Sequence, residues 1–147
     1  MTMGVRRATE LLAVPVTHND IPLGRAVDML LDLAAGRALG LEIHCGDEVR
    51  RFLPLGAARL GADATEVGSP LSLLDDVSFY RARGAAFRDV RGAEVARSGA
   101  ALGTLADVAI AADGSIVAFV VDSPRGKARV AFGPAVSLGR ARKASAA

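Results

Sequence analysis

Few side chains in this sequence could carry chemistry. His44 and Cys45 are adjacent, and they are the residue types from which a thiolate nucleophile and its base are built. Adjacency works against that use, because neighbouring side chains on a strand point to opposite faces. The pair therefore reads as a turn-region thiol beside a surface histidine. His18 stands well upstream, and neither histidine has a serine or cysteine at motif spacing. Asp28 and Asp32 flank one strand, and Asp75 and Asp76 close a short helical segment. General acid–base catalysis needs one such carboxyl desolvated beside a cleft. A downstream copy of the region keeps Asp107 but has Ala111 near the place of Asp32, so the pair is not repeated. The retained aspartate is expected to bond backbone amides at a hairpin or to face solvent. A single cysteine excludes an intramolecular disulfide and a cysteine-based zinc cage. There is no phosphate-cradling loop, no dinucleotide glycine fingerprint and no His-Glu-x-x-His. The expectation is a protein that is not an enzyme and carries no metal or cofactor.

Charge is the other resource. The 147 residues hold 18 basic and 16 acidic side chains, and nearly all the basic ones are arginine. With alanine, glycine, valine and leucine abundant, that bias reads first as a GC-rich coding background. Its placement is uneven. Residues 1–80 hold 7 basic and 11 acidic groups, a balance of −4, and residues 81–147 hold 11 and 5, a balance of +6. Arg125, Lys127, Arg129, Arg140, Arg142 and Lys143 form a candidate basic face for an anion or RNA. Sequence-tolerant RNA binding also wants stacking aromatics, and the chain has five phenylalanines and one tyrosine, of which Phe119 and Phe132 fall on core parity. A solvated face followed by a tail is the plainer expectation.

An internal repeat positions these groups. Val16…Leu23-Gly24-x-x-x-Asp28 recurs as Val95…Leu102-Gly103-x-x-x-Asp107; Gly36 returns as Gly114, and Leu60-Gly61 as Leu138-Gly139. Two units follow, residues 10–78 and 81–143, with a disordered tail at 144–147. Within each, apolar residues alternate with period two: Val27, Met29 and Leu31, a turn at Gly36, then Leu39, Leu41 and Ile43. The second unit repeats this with Ala106, Val108 and Ile110, the Asp113-Gly114 turn, then Val117, Phe119 and Val121. Third strands follow at 49–55 and 128–132, while helix is confined to 71–76 and part of the N-terminus. The fold class is all-β with minor helix, as two tandem small antiparallel barrels, which leave no exposed sheet edge. The apolar run 99–121 contains Asp107 and Asp113, which argues against a membrane span. With no signal peptide at the start, a cytoplasmic protein is expected.

The pattern Leu-Gly-x-x-x-Asp, a glycine turn, an alternating strand, then Arg51-Phe52-Leu53-Pro54-Leu55 and Leu60-Gly61 resembles a PRC-barrel domain, here twice over. In the second copy Val130-Ala131-Phe132-Gly133-Pro134 replaces the Phe-Leu-Pro-Leu segment. That family includes the cytoplasmic domain of the photosynthetic reaction-centre H subunit and the C-terminal domain of ribosome-maturation factors. Neither a membrane anchor nor a separate RNA-handling domain accompanies the two units. The resemblance implies a stand-alone tandem barrel acting as a protein-interaction or assembly module. The alternative is an RNA-binding accessory factor in ribosome maturation.

Comparing the copies gives the candidate interaction face. On the non-core parity of the first unit's second strand stand Ala38, Gly40 and Glu42, ordinary for a surface facing water. The second unit has Ile116, Ala118 and Val120 there, with Leu105 and Ala109 on the outer parity of the preceding strand. A strand apolar on both faces is normally covered on both. The first barrel, a second copy or an outside partner would cover it, and a symmetric homodimer is favoured. A β-bulge would exchange the two faces.

Overall fold

Each repeat folds around one long hairpin, as the period-two pattern requires. In a computed structural model, which describes residues 4–139, the first hairpin is β3 (Ile21–Asp32) with β4 (Arg37–Cys45). The second is β10 (Ala100–Ile110) with β11 (Ile116–Ser123). Before the first hairpin come β1 (Arg6–Arg7), α1 (Ala8–Leu11) and β2 (Pro15–His18). After it come β5 (Arg50–Pro54), β6 (Ala58–Leu60), β7 (Thr65–Val67) and α2 (Val77–Arg81). The second hairpin is preceded by β8 (Ala85–Ala86), α3 (Phe87–Val90) and β9 (Glu94–Arg97). It is followed by β12 (Gly126–Ala131) and β13 (Val136–Leu138). The fold is thus all-β with minor helix. The helix expected at 71–76 is instead a 3-10 turn at Pro70–Ser72, with α2 starting beyond it, where Asp76 caps the Phe79 amide. The remaining basic-face residues Arg140, Arg142 and Lys143, and the tail 144–147, lie outside the described residues.

The strands form two sheets, ordered β5-β4-β3-β2-β7-β6 and β12-β11-β10-β9-β13. Neither path returns to its first strand among the described residues. The repeated glycine of the Leu-Gly motif has a concrete task in both. A Cβ on Gly24 would lie 2.4 Å from the His44 carbonyl oxygen, and one on Gly103, at φ +146, would lie 2.2 Å from that of Asp122. Only glycine lets the hairpin strands approach this closely.

The leading segments of the two repeats are exchanged. β1 precedes the first sheet in the chain but pairs with β10 of the second, and β8 precedes the second but pairs with β3 of the first. The hairpin turns also meet, with the Ile116 amide donating to the Gly36 carbonyl and the Ala38 amide to the Gly114 carbonyl, each at 2.8 Å. One continuous apolar core accordingly runs through both sheets, from Leu11 and Leu41 to Val108 and Phe119.

Bulges set which residues enter that core. In the first hairpin the register shifts at Val27 and Leu39, and in the second at the equivalent Ala106 and Val117. Beyond each bulge the faces exchange. Leu105 and Ile116, expected on the outer face, therefore turn into the core, and Ala26 and Ala38 do the same in the first copy. The expectation of a water-facing Ala38, Gly40 and Glu42 is also corrected, because all three are buried. A second, smaller cluster of Leu30, Phe52 and Val77 covers that outer face, with Tyr80 stacked on Phe52 at 4.0 Å between ring centroids.

Candidate functional site

The polar feature of the covered face is Glu42. It sits opposite Asp28 across the β3–β4 pair, and its side chain is only 3% exposed. A buried carboxylate needs charged partners, and Glu42 has two. Arg81, in the last turn of α2, grips it through two bonds, Nε to Oε1 at 2.9 Å and a second to Oε2 at 2.5 Å. Arg50, at the start of β5, donates to Oε2 at 2.6 Å. Burial pushes the Glu42 carboxyl up, but the hydrogen bonds and charges of Arg81 and Arg50 outweigh it, and the group is held below its ordinary value. The triad fastens α2 to the sheet. A cleft of about 560 Å³ opens beside it, where Arg88 and Asp89 also line the wall.

Asp28 lines the same cleft. Its Oδ1 accepts the Met29 amide at 2.9 Å and the Arg88 amide, from α3 of the exchanged segment, at 3.1 Å. Burial pushes its carboxyl above the ordinary value, against the pull of those amides and of the Arg88 charge. The equivalent Asp107 bonds the Val108 amide at 3.0 Å, the Thr9 amide of α1 at 3.1 Å, and the Thr9 hydroxyl. The repeated aspartate thus bonds backbone amides, as expected, but those of a short helix from the other repeat in place of a hairpin. Asp107 commits both oxygens and Asp28 its Oδ1 to structural bonds, so the arrangement holds segments together.

The second site is apolar. Pro22, Leu23, Pro70, Leu71, Leu73 and Leu74 line a groove of about 670 Å³ at the end of the first sheet. Leu71, on the 3-10 turn, is 88% exposed, and Ile21 next to Pro22 is 61% exposed. Arg51 closes one rim between Asp47, at 2.8 Å, and Asp75, at 3.2 Å. Its hydrogen bond, followed by the Val49 amide, holds Asp47 at about 2. Buried Cys45 also lines the groove, and neighbouring His44 is half-buried, 3.4 Å from Glu48.

The residues singled out in the sequence lie elsewhere. Of the expected interaction face, Leu105 and Ile116 belong to the core, Ala109 and Ala118 are buried, and Val120 alone is half-buried. That face is therefore not an open apolar patch. Arg125, Lys127 and Arg129 are exposed along β12 and its turn, with Lys127 3.8 Å from Asp122. Sequence reasoning missed Glu42, Arg50 and Arg81 as a unit. Leu30 and Phe52, apolar on the parity of Glu42, were the signal that this face is covered. It also missed Leu71, whose exposure depends on a turn that no periodicity marks. Among the described residues no three His, Cys, Asp or Glu side chains gather where a metal ion would be held, and no helix is long and apolar enough to cross a membrane. No protein-family model matches the chain, and no curated protein proves similar to it.

Proposed function

We propose that this chain is a non-enzymatic assembly module of two PRC-barrel-like units, and that it self-associates through the groove beside Leu71. The observation that carries this is the exposure of Leu71 next to a hollow lined by leucines and prolines. An exposed apolar patch of this kind is a usual mark of a protein contact. Knob and hollow lie on the same patch, so a two-fold axis would seat the Leu71 of each copy in the hollow of the other. Arg51, Asp47 and Asp75 already satisfy one another and supply a polar rim. A barrel-like curl of each unit is supported by the parallel pairing of β2 with β7 in the first and the antiparallel pairing of β9 with β13 in the second, each of which brings the end of the unit back to its beginning. Cytoplasmic residence belongs to the same proposal and agrees with a lone, buried cysteine.

Sedimentation velocity tests it. The wild-type chain is expected to show dimer mass at micromolar concentration, and Leu71→Asp to lose that mass with its β-sheet circular dichroism unchanged. A wild-type chain that remains monomeric would overturn self-association. RNA binding in ribosome maturation is the second reading. It has Arg125, Lys127 and Arg129 exposed in its favour. Against it, Phe119 is buried and stacks edge-on against Phe132 at 5.3 Å, which leaves neither β11 nor β12 an outward ring to stack a base.

A further inference from the structure

The two repeats treat the outer edge of their third strand differently. In the first sheet β5 is the edge strand, and Phe52 turns both its backbone groups outward. Leu74 satisfies them, its amide and carbonyl each forming a 2.8 Å bond with Phe52. Arg129 of β12 is the counterpart of Phe52, since it faces Val120 as Phe52 faces Glu42. The alternation of an antiparallel ladder sets the direction of its backbone groups. Phe132 donates inward to the Val117 carbonyl, so Val130 also bonds inward, and Lys127, Arg129 and Ala131 turn their amides and carbonyls outward. Among the described residues nothing bonds them, and all three residues are exposed.

We propose that the outer edge of β12 takes up an extended acidic segment of a partner polypeptide, in the place that Leu74 fills on β5. The main-chain bonds of such strand addition give attachment, and side chains on alternate positions give selectivity. Here Lys127 and Arg129 stand two residues apart on one face of the strand, with Arg125 at the turn. They match a segment carrying carboxylates at alternate positions. Positive side chains on an edge also act against unwanted pairing. That protection works against strands of the same sign. It disfavours a second copy of β12, which would oppose like charges. An acidic strand escapes it. The surface is separate from the Leu71 groove and does not depend on the self-association proposed there.

The test uses the full chain and a fluorescent peptide alternating glutamate and valine. Binding is expected, with Lys127, Arg129 and Ala131 amides gaining protection from hydrogen exchange. Methylating the peptide's bonding amides, or replacing Lys127 and Arg129 together with glutamate in the protein, is expected to weaken it about tenfold or more. The N-methylated peptide keeps every charge, so equal binding by it would show a charge effect without strand pairing and overturn the proposal. Failure of the unmodified peptide to bind would overturn it too. So would a single-stranded RNA oligonucleotide that binds more tightly and displaces the peptide, since the edge would then be a polyanion surface.

Discussion

Arg37 and Ser115 hold equivalent positions in the two repeats and pair with each other as an isolated antiparallel bridge. A residue joined to its own counterpart marks an approximate two-fold relation inside one chain. The Arg37 guanidinium adds a bond to the Asp113 carbonyl at 2.9 Å. The exchange of β1 and β8 follows the same relation, so the repeats hold each other as the subunits of a small dimer would. A protease site inserted after Ala82, between α2 and β8, is expected to leave the cleaved halves associated. Gel filtration in native buffer checks this, with one peak containing both fragments as the expected result.

The two repeated aspartates differ in what they tolerate. Asp107 uses both oxygens, and Asp107→Ala leaves the buried Val108 amide and the half-buried Thr9 amide and hydroxyl without this partner, at a cost of about 1–3 kcal/mol. Asp28 uses Oδ1 alone for its two amides, a role asparagine can fill. Its carboxyl is raised in the fold, so its favourable share is complete below the ordinary value of 3.8 and is lost as the pH rises through the folded value. Asp28→Asn is expected to match or exceed wild-type stability at neutral pH. Urea midpoints at several pH values check both.

Glu42 has the opposite sign. Its folded value is lowered, so its contribution is complete above the ordinary 4.5 and is lost as the pH falls through the lower folded value. Arg81→Ala leaves the buried carboxylate with Arg50 alone. The expected cost at neutral pH is about 2 kcal/mol, below that of a wholly buried pair because Arg81 is half-exposed. Acid unfolding followed by circular dichroism should begin at a higher pH in this variant, as burial then meets less opposition.

Ile116 and Val120 separate the two faces of β11. Ile116→Glu places a charge in the shared core and is expected to unfold the chain, at a cost of at least about 3 kcal/mol. Val120→Lys, at a half-buried outer position, is expected to keep the native circular dichroism and melting temperature within a few degrees.

The repeat, the hairpins and the turn glycines were legible because each is a local pattern with a local cause. Gly24 and Gly103 recur because a carbonyl approaches each, and that requirement survives in sequence. The faces were not legible near Val27, Leu39, Ala106 and Val117, since a bulge adds one residue without altering composition. Glu42 looked like a surface residue because its partners Arg50 and Arg81 come from different elements, and no spacing rule links them. Leu71 was hidden for the opposite reason. An exposed leucine has the same letter as a buried one, and only the turn at Pro70–Ser72 tells them apart.

The exchanged N-terminal segment also sets a timetable for synthesis. β1 and α1 leave the ribosome before their partner β10, which is not complete until residue 110 has been added. At about 5–20 residues per second, that wait is roughly 5–20 s. Ala8 and Leu11, which the finished fold shelters completely, remain open to capture throughout it. The first sheet likewise lacks β8 until the linker has been made. Neighbouring nascent chains on one message carry identical free segments and identical vacant strands. Swapping between them is the misassembly this topology invites, and slow synthesis at high ribosome density is the condition that favours it.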